Sequence, residues 1–323
     1  MDYRVLGRTG LQVSVMGFGG GGIGGVWGAT TDRECVLAVQ RALALGINFF
    51  DVAPSYGNGK AEENLGAGLK GQRRQVYVAT KVRLRHEDLP DMAKVLRASV
   101  ERSLQLLQTD YVELLQLHNR VRNSHLAADN SLVTEDVLGP GGVLEALQGL
   151  QREGKTRYLG FTGYGDIEAL VQVATSGGFD TVQVHYNPIH QNSLGAKPFV
   201  KTEWPQPMGI LPVAASLNLG VIGIRPLAAG ALSEEIDRPY AADSELALDV
   251  QKARQLRFLV RGPVRTIQQA AMLFVRMHEA IPTQVPGFKN AAEVEEAVEV
   301  VGMPAFATEE LAQLDVLYDR AFA

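Results

Sequence analysis

The 323-residue sequence has a single cysteine, Cys35, which excludes an internal disulfide and any cysteine-rich metal site. Nor does it contain an H-x-H or H-E-x-x-H pair, spacings with which histidines grip a catalytic zinc, so no metal is expected. No apolar run approaches the roughly 20 residues of a membrane span. The start, MDYRVLGRTG, lacks the basic and apolar regions of a secretory leader, so a cytoplasmic protein with no membrane role is expected. Positive charge is not in excess: 31 Lys and Arg stand against 36 Asp and Glu, for a net charge of −5. That balance argues against a nucleic-acid surface. The local exception, Lys252, Arg254, Arg257, Arg261 and Arg265, is spaced for one side of a helix and reads as a solvated face, with anion binding as the alternative. Linkers and low-complexity segments are absent as well, and the whole of 1–323 reads as one domain.

What the sequence does contain is regular alternation. Apolar, β-branched runs (VSVMGF, INFFDVA, QVYVATKV, YVELLQLH, TRYLGFTG, DTVQVHY, GVIGIRPL and IPTQVPG) are separated by amphipathic stretches such as DMAKVLRASVERSLQLL and TIQQAAMLFVRMHEA. Strands alternating with helices indicate parallel β-α units. Eight such units in a chain of this size fit an α/β fold, the closed (β/α)8 TIM barrel. A hairpin precedes the barrel, since YRVLG and LQVSV flank Arg8-Thr9-Gly10, and TEELAQLDVLYDR reads as an extra C-terminal helix. Long loops at 119–142, 187–208 and 228–249 follow the fourth, sixth and seventh strands. They matter because barrel active sites are built at the C-terminal ends of strands.

The stretch GFGGGGIGGVWG, residues 17–28, contains G-x-G-x-x-G, the phosphate-binding pattern of a dinucleotide-binding fold. That motif works only where the glycines lead straight into a helix. Here the first helix start is the capping box Thr31-Asp-Arg-Glu34, whose hydroxyl and carboxylate satisfy each other's orphan amides. A long glycine loop therefore lies between strand and helix, and another use for its bare backbone is required.

Three consecutive strands end in polar residues that their apolar runs do not predict. INFFDVAPSYG places Asp51 and, five residues on, Tyr56; VYVATKV carries Lys81; VELLQLHN ends in His118. Taken singly, each has an ordinary structural reading as turn former, packed aromatic or buried polar group. Together they converge on one rim of a barrel. Reducing a carbonyl with hydride requires a proton donor, and a phenol with pKa near 10 is a weak one at neutral pH. An ammonium beside the phenol favours phenolate, and a carboxylate beside the ammonium keeps it charged. Asp51, Lys81 and Tyr56 supply that chain, and His118 is the residue to orient the substrate oxygen.

These motifs resemble the aldo-keto reductase family, from GRTGLQVSVMGFG through GINFFDVAPSYGNGKAEENLGAGLKG, VATKV and DYVELLQLHN to VPGFKN. The resemblance implies a (β/α)8 oxidoreductase using non-covalent NAD(P)(H) without a Rossmann domain. Tyr56 would be the general acid-base, Asp51 and Lys81 its tuning groups, and His118 a substrate-positioning residue. It also implies that Gly19, Gly20 and Gly21 lie against the cofactor, as does Asp51, and that Trp27 walls the substrate pocket. Thr162 and Gly163 stand where the family commonly has Ser-Asn to hold the carboxamide, and Gln183 matches the glutamine that completes that grip. Ile224, followed by Arg225, Pro226 and Leu227, occupies the place of the usual stacking aromatic. Pro286, Gly287, Phe288, Lys289 and Glu293 resemble the segment that receives the adenosine end, with Ala297 where an asparagine is usual. Glu293, Glu295 and Glu296 near that segment tilt the expectation to NAD, since a carboxylate repels the extra phosphate of NADP and accepts ribose hydroxyls; Lys289 argues the other way.

For substrate, DVAPSYG and FTGYGD resemble the branch of aldose 1-dehydrogenases, which oxidise a sugar at C1. General aldehyde or ketone reduction is the alternative, and a non-catalytic nucleotide sensor or partner subunit is the reading from a different class. A barrel hydrolase would want paired carboxylates or a metal cluster at the rim, and neither is found. Small molecules, not nucleic acid or membrane, are the expected partners.

Overall fold

The computed structural model describes residues 1–191, 209–236 and 238–322. Two short antiparallel strands, β1 (Tyr3–Val5) and β2 (Gln12–Ser14), form the N-terminal hairpin. The parallel sheet then runs β3 (Phe18–Gly19), β4 (Phe49–Asp51), β5 (Tyr77–Val82) and β6 (Val112–Leu117). A parallel pair in the loop after β6, β7 (Val121–Arg122) and β8 (Leu132–Val133), stands outside it. β9 (Thr156–Thr162), β10 (Thr181–His185), β11 (Gly220–Ile224) and β12 (Thr283–Gln284) complete the sheet, each pairing in parallel with its neighbours. Bridges between Met16 and Gln284 and between Gly19 and Gly287 join its two edges, so the strands form a (β/α)8 barrel.

The seam corrects one sequence expectation. VSVMGF reads as a full first strand, but its first residues belong to the hairpin, and the barrel strand is only Phe18–Gly19. The closing hydrogen bonds come from backbone amides, Gly17 N to Gln284 O at 2.8 Å and Gly19 N to Pro286 O at 2.8 Å. A Cβ on Gly19 would stand 2.5 Å from Val285 O, so this position accepts no side chain. The glycine loop is thus used for close backbone approach, which periodicity alone does not reveal.

Helices α1 (Asp32–Ala44), α2 (Lys60–Gly68) and α3 (Met92–Leu106) pack outside the first strands. The capping box at Thr31 and Glu34 is formed in both directions. The loop at 119–142 is not structureless: besides β7 and β8 it contains α4 (Thr134–Leu138). There follow α5 (Val143–Arg152), α6 (Ile167–Thr175), α7 (Ile210–Ser216), α8 (Glu245–Arg254), α9 (Ile267–Met277) and α10 (Ala291–Glu299). The extra C-terminal helix is α11 (Thr308–Asp319). Among the described residues, no helix is long and apolar enough to cross a membrane. Of the loop at 187–208, residues 192–208 lie outside the described residues.

The basic series at 252–265 is not one helix face. α8 stops at Arg254, a short 3-10 turn follows at Arg257–Leu259, and Gly262-Pro263 separates that turn from Arg265, since proline breaks a helix interior. Four of the five cations instead pair with separate carboxylates: Lys252 with Asp249, Arg257 with Glu234, Arg261 with Glu310 and Arg265 with Glu299.

The barrel interior is layered by the two-residue period of its strands. Leu6, Leu11 and Val13 of the hairpin plug the N-terminal end against an apolar layer of Phe49, Ala79, Leu114 and Ile222. One step of two residues toward the C-terminal end, the same strands present Asp51, Lys81, Gln116 and Ile224. The outward positions that alternate with these, such as Phe50, Leu115 and Val221, pack under the helices in the larger core. The fold therefore closes one end of the barrel with hydrocarbon and gathers polar side chains at the other.

Candidate active site

Lys81 is 1% exposed, and a buried ammonium must be paired to stay charged. Its Nζ donates to Asp51 Oδ2 at 2.6 Å, to Val52 O at 2.9 Å and to the Tyr56 hydroxyl at 3.3 Å. Burial opposes its charge, but Asp51 and then Tyr56 outweigh that penalty and hold its pKa above the ordinary lysine value. The other carboxylate oxygen, Asp51 Oδ1, accepts from Gln116 Nε2 and Gln183 Nε2, both at 2.8 Å. The carboxylate is thus held by three side chains from three strands.

Tyr56 reaches this group from the turn after β4. Beyond it the chain passes through Gly57, Asn58 and Gly59, all with positive φ, and so reverses into α2. The glycine loop packs on this turn: a Cβ at Gly24 would lie 2.8 Å from Tyr56 O, and Asn64 of α2 donates to Ile23 O at 2.9 Å. The ring of His118 stands edge-on to Tyr56 with centroids 6.1 Å apart. Burial first, then the charges of Lys81 and Arg83, hold its imidazole down at about 3, so it is neutral at physiological pH. Cys35 beneath the loop is a buried thiol whose pKa is raised by burial.

A cavity of about 630 Å³ extends from Tyr56 and His118, between the glycine loop and the segments after β11 and β12, to Lys289 and Glu293. Of the residues singled out from the sequence, its wall contains Gly19, Gly20, Gly21, Trp27, Asp51, Tyr56, His118, Thr162 and Gln183. Ile224, Arg225, Pro226, Leu227, Pro286, Gly287, Phe288, Lys289 and Glu293 also line it. Lys81 lies beneath the wall, reaching it through Tyr56. Gly163 is outside the wall, and a Cβ there would stand 2.7 Å from Gln183 O, so its smallness serves strand packing. Thr162 Oγ1 donates to Gln183 Oε1 at 3.5 Å, while the Gln183 amide nitrogen is committed to Asp51.

At the far end, Asn290 caps α10 by accepting from Glu293 N at 3.0 Å. Glu293 folds back to accept from Lys289 N at 2.7 Å, with Lys289 Nζ at 3.6 Å from its other oxygen. Glu296 also lines this end and accepts from Thr266 Oγ1 at 2.6 Å. A long cleft with bare backbone on one side, a phenol at one end and a helix N-terminus at the other fits an extended dinucleotide, whose charged middle suits such amides.

Several site residues escape a sequence reading. Gln116 is separated from His118 by one residue and shares its face, a signal available from strand alternation. Arg238 crosses from the loop after β11 to place its guanidinium 5.2 Å from the Trp27 ring centroid. Asn187 donates to Arg225 O at 2.9 Å and accepts from the amides of Ile189 and His190. That bond anchors a loop in which Arg225, Ala228 and Ala229 all take positive φ, a conformation that persists only where the surroundings enforce it. Behind it, buried His190 and Lys252 flank Asp249 at 3.2 and 2.9 Å. No sequence spacing announces this group.

The Aldo/keto reductase family model matches residues 15–319, and the chain belongs to this family of NAD(P)-dependent oxidoreductases. It is 32% identical over 309 residues to L-galactose dehydrogenase of Arabidopsis thaliana, covering 93% of this chain and 88% of that protein. In fold it is similar to the holo form of an aldo-keto reductase from Bacillus halodurans, with a TM-score of 0.75 and 23% identity over 98% of this chain and 96% of the other. An aldo/keto reductase from Klebsiella pneumoniae in complex with NADP and acetate gives a TM-score of 0.72 and 23% identity, again over 98% and 96%.

Proposed function

We propose that the chain, acting as one barrel domain in the cytoplasm, is an NAD-linked dehydrogenase that oxidises the C1 position of a sugar or related hydroxylated aldehyde. The observation that carries the oxidoreductase chemistry is the Asp51–Lys81–Tyr56 chain, 2.6 and 3.3 Å in its two links, at one end of a cavity of about 630 Å³ that extends to Lys289 and Glu293. The relative named L-galactose dehydrogenase supports a sugar as substrate. NADP in the Klebsiella structure speaks for the other dinucleotide. The carboxylates of Glu293 and Glu296 at the far end of the cleft favour NAD.

In this reading Gly19, Gly20 and Gly21 give the cofactor a flat wall, and Thr162 and Ile224 meet its nicotinamide end. Arg225, Pro226 and Leu227 flank its middle, and Pro286, Gly287, Phe288 and Lys289 receive the adenosine end. When bound, the nicotinamide accepts the hydride in oxidation and supplies it in reduction. Tyr56 takes the proton of the substrate hydroxyl in oxidation and returns it to the carbonyl oxygen in reduction. Lys81 stabilises the negative charge left on the phenol oxygen whenever the proton is away, and Asp51 keeps Lys81 charged. His118, being neutral, has one N–H to offer the same substrate oxygen and does not compete as an acid. Trp27 closes the substrate side.

The test is an absorbance assay of NAD and NADP against panels of aldoses and simple aldehydes, in both directions. Aldose-dependent reduction of NAD is the expected result. Efficient reduction of simple aldehydes with no aldose oxidised would replace the sugar reading by general carbonyl reduction. Dinucleotide binding with no turnover of any carbonyl would leave a non-catalytic nucleotide binder.

A further inference from the structure

Tyr164 lines the same cavity as Tyr56 and His118, yet the chemistry above makes no use of it. Its backbone is fixed: Val121 N donates to Tyr164 O at 3.0 Å, and Tyr164 N donates to Thr162 O at 2.8 Å. Its ring is fixed as well, edge-on to His185 with centroids 6.2 Å apart and with the Arg120 guanidinium 5.9 Å from its centre. The hydroxyl at the end of this rigid mount is buried and has no acceptor for its proton among the described residues. Its strongest charged neighbour is Arg225, another cavity residue. A guanidinium has donors only, so Arg225 leaves the phenol proton unused. Burial raises the phenol's pKa and the nearby arginines offset this only in part, so the oxygen keeps its proton.

A buried donor that is rigidly held and unspent is costly in the empty protein. Placed in the wall of a binding cavity, it becomes selective, because a ligand lacking an acceptor leaves it unsatisfied. We infer that Tyr164 is a substrate-recognition residue, donating its phenol proton to a hydroxyl oxygen of the substrate near the carbon that reacts at Tyr56. The inference rests on the sugar reading and sharpens it: the preferred substrates carry a hydroxyl close to the reacting carbon, and simple aldehydes are selected against. Tyr56 acts on the proton of the reacting oxygen, and Tyr164 reads its neighbour.

The probes are glyceraldehyde and propanal, which share a three-carbon aldehyde and differ in hydroxyls. Their kcat/KM values are measured in reduction for the unmodified enzyme and for Tyr164→Phe, together with the Tm of each. The expected result is a preference for glyceraldehyde in the unmodified enzyme that falls about two- to tenfold in the variant, the range of one neutral hydrogen bond. Tm stays the same or rises, since an unsatisfied buried hydroxyl has been removed. If the unmodified enzyme prefers glyceraldehyde and the variant keeps the full preference, the role of Tyr164 is overturned while the sugar reading stands. If the unmodified enzyme does not distinguish the two aldehydes, the sugar reading is overturned and the recognition role with it. A variant with clearly lowered Tm shows a hydroxyl bonded within the protein, and that also overturns the assignment.

Discussion

Lys81 holds its ammonium 3.3 Å from the hydroxyl of Tyr56, inside a wall that leaves it 1% exposed. The pairing places a fixed positive charge beside the oxygen proposed to exchange a proton with substrate. Lys81→Met keeps the length and removes the charge, leaving Asp51 buried without its cation. A fall in kcat with a changed pH-rate profile is expected. An activity loss with the profile unaltered would take lysine out of the proton step and leave it a structural role.

Tyr56→Phe removes the proposed proton donor with little change in packing. General acid-base catalysis contributes about 10²- to 10⁴-fold, and a loss of that order in kcat is expected while dinucleotide binding, followed by fluorescence quenching, is retained. Near-normal turnover under conditions where chemistry limits the rate would disprove the assignment.

His118 is held at about 3 by burial and by Lys81 and Arg83, against about 6.5 for an unperturbed imidazole. Between those values the unfolded chain binds a proton that the folded protein refuses, so stability from this group falls as pH drops from about 6.5 toward 3 and is flat above. His118→Gln is therefore expected to lose less stability than the unmodified enzyme between pH 7 and 4, in denaturant titrations at each pH. The His118 ring resonance should not titrate between pH 5 and 8. A midpoint near 6.5 would refute the neutral imidazole.

In the proposed reading, cofactor choice turns on the far end of the cleft, which Lys289, Glu293 and Glu296 line. A carboxylate repels the additional phosphate of NADP, so kcat/KM is expected to favour NAD. Glu293→Arg should shift the ratio toward NADP by about tenfold or more, the scale of one charge-assisted hydrogen bond gained and one repulsion lost. Strong NADP preference in the unmodified enzyme would reverse the proposal.

The features legible in the sequence are those written in short spacings. Eight alternations of apolar, β-branched run and amphipathic stretch define the barrel, because buried strands and half-buried helices differ in local composition and period. The capping box at Thr31 and Glu34 marks the start of α1 by local chemistry. Asp51, Tyr56, Lys81 and His118 stand out because polar side chains break apolar runs at strand ends, the one place where a barrel gathers them. What the sequence leaves open depends on partners far apart in the chain. β6 is buried at every position, so alternation with His118 puts Gln116 on the inner face but does not name its partner: Gln116 meets Asp51 inside, while Glu113 pairs with Arg73 outside at 2.9 Å. The two-residue strand at Phe18–Gly19 has no period to read and exists because backbone at Gln284 and Pro286 meets it. The basic residues at 252–265 share a helical spacing that Gly262-Pro263 interrupts, and tertiary contacts pair Arg257, Arg261 and Arg265 with three different carboxylates. Tyr164 carries no local sign at all. Its isolation as a donor follows from what surrounds it in space, because hydrogen bonding acts over about 3 Å regardless of how many residues of chain lie between.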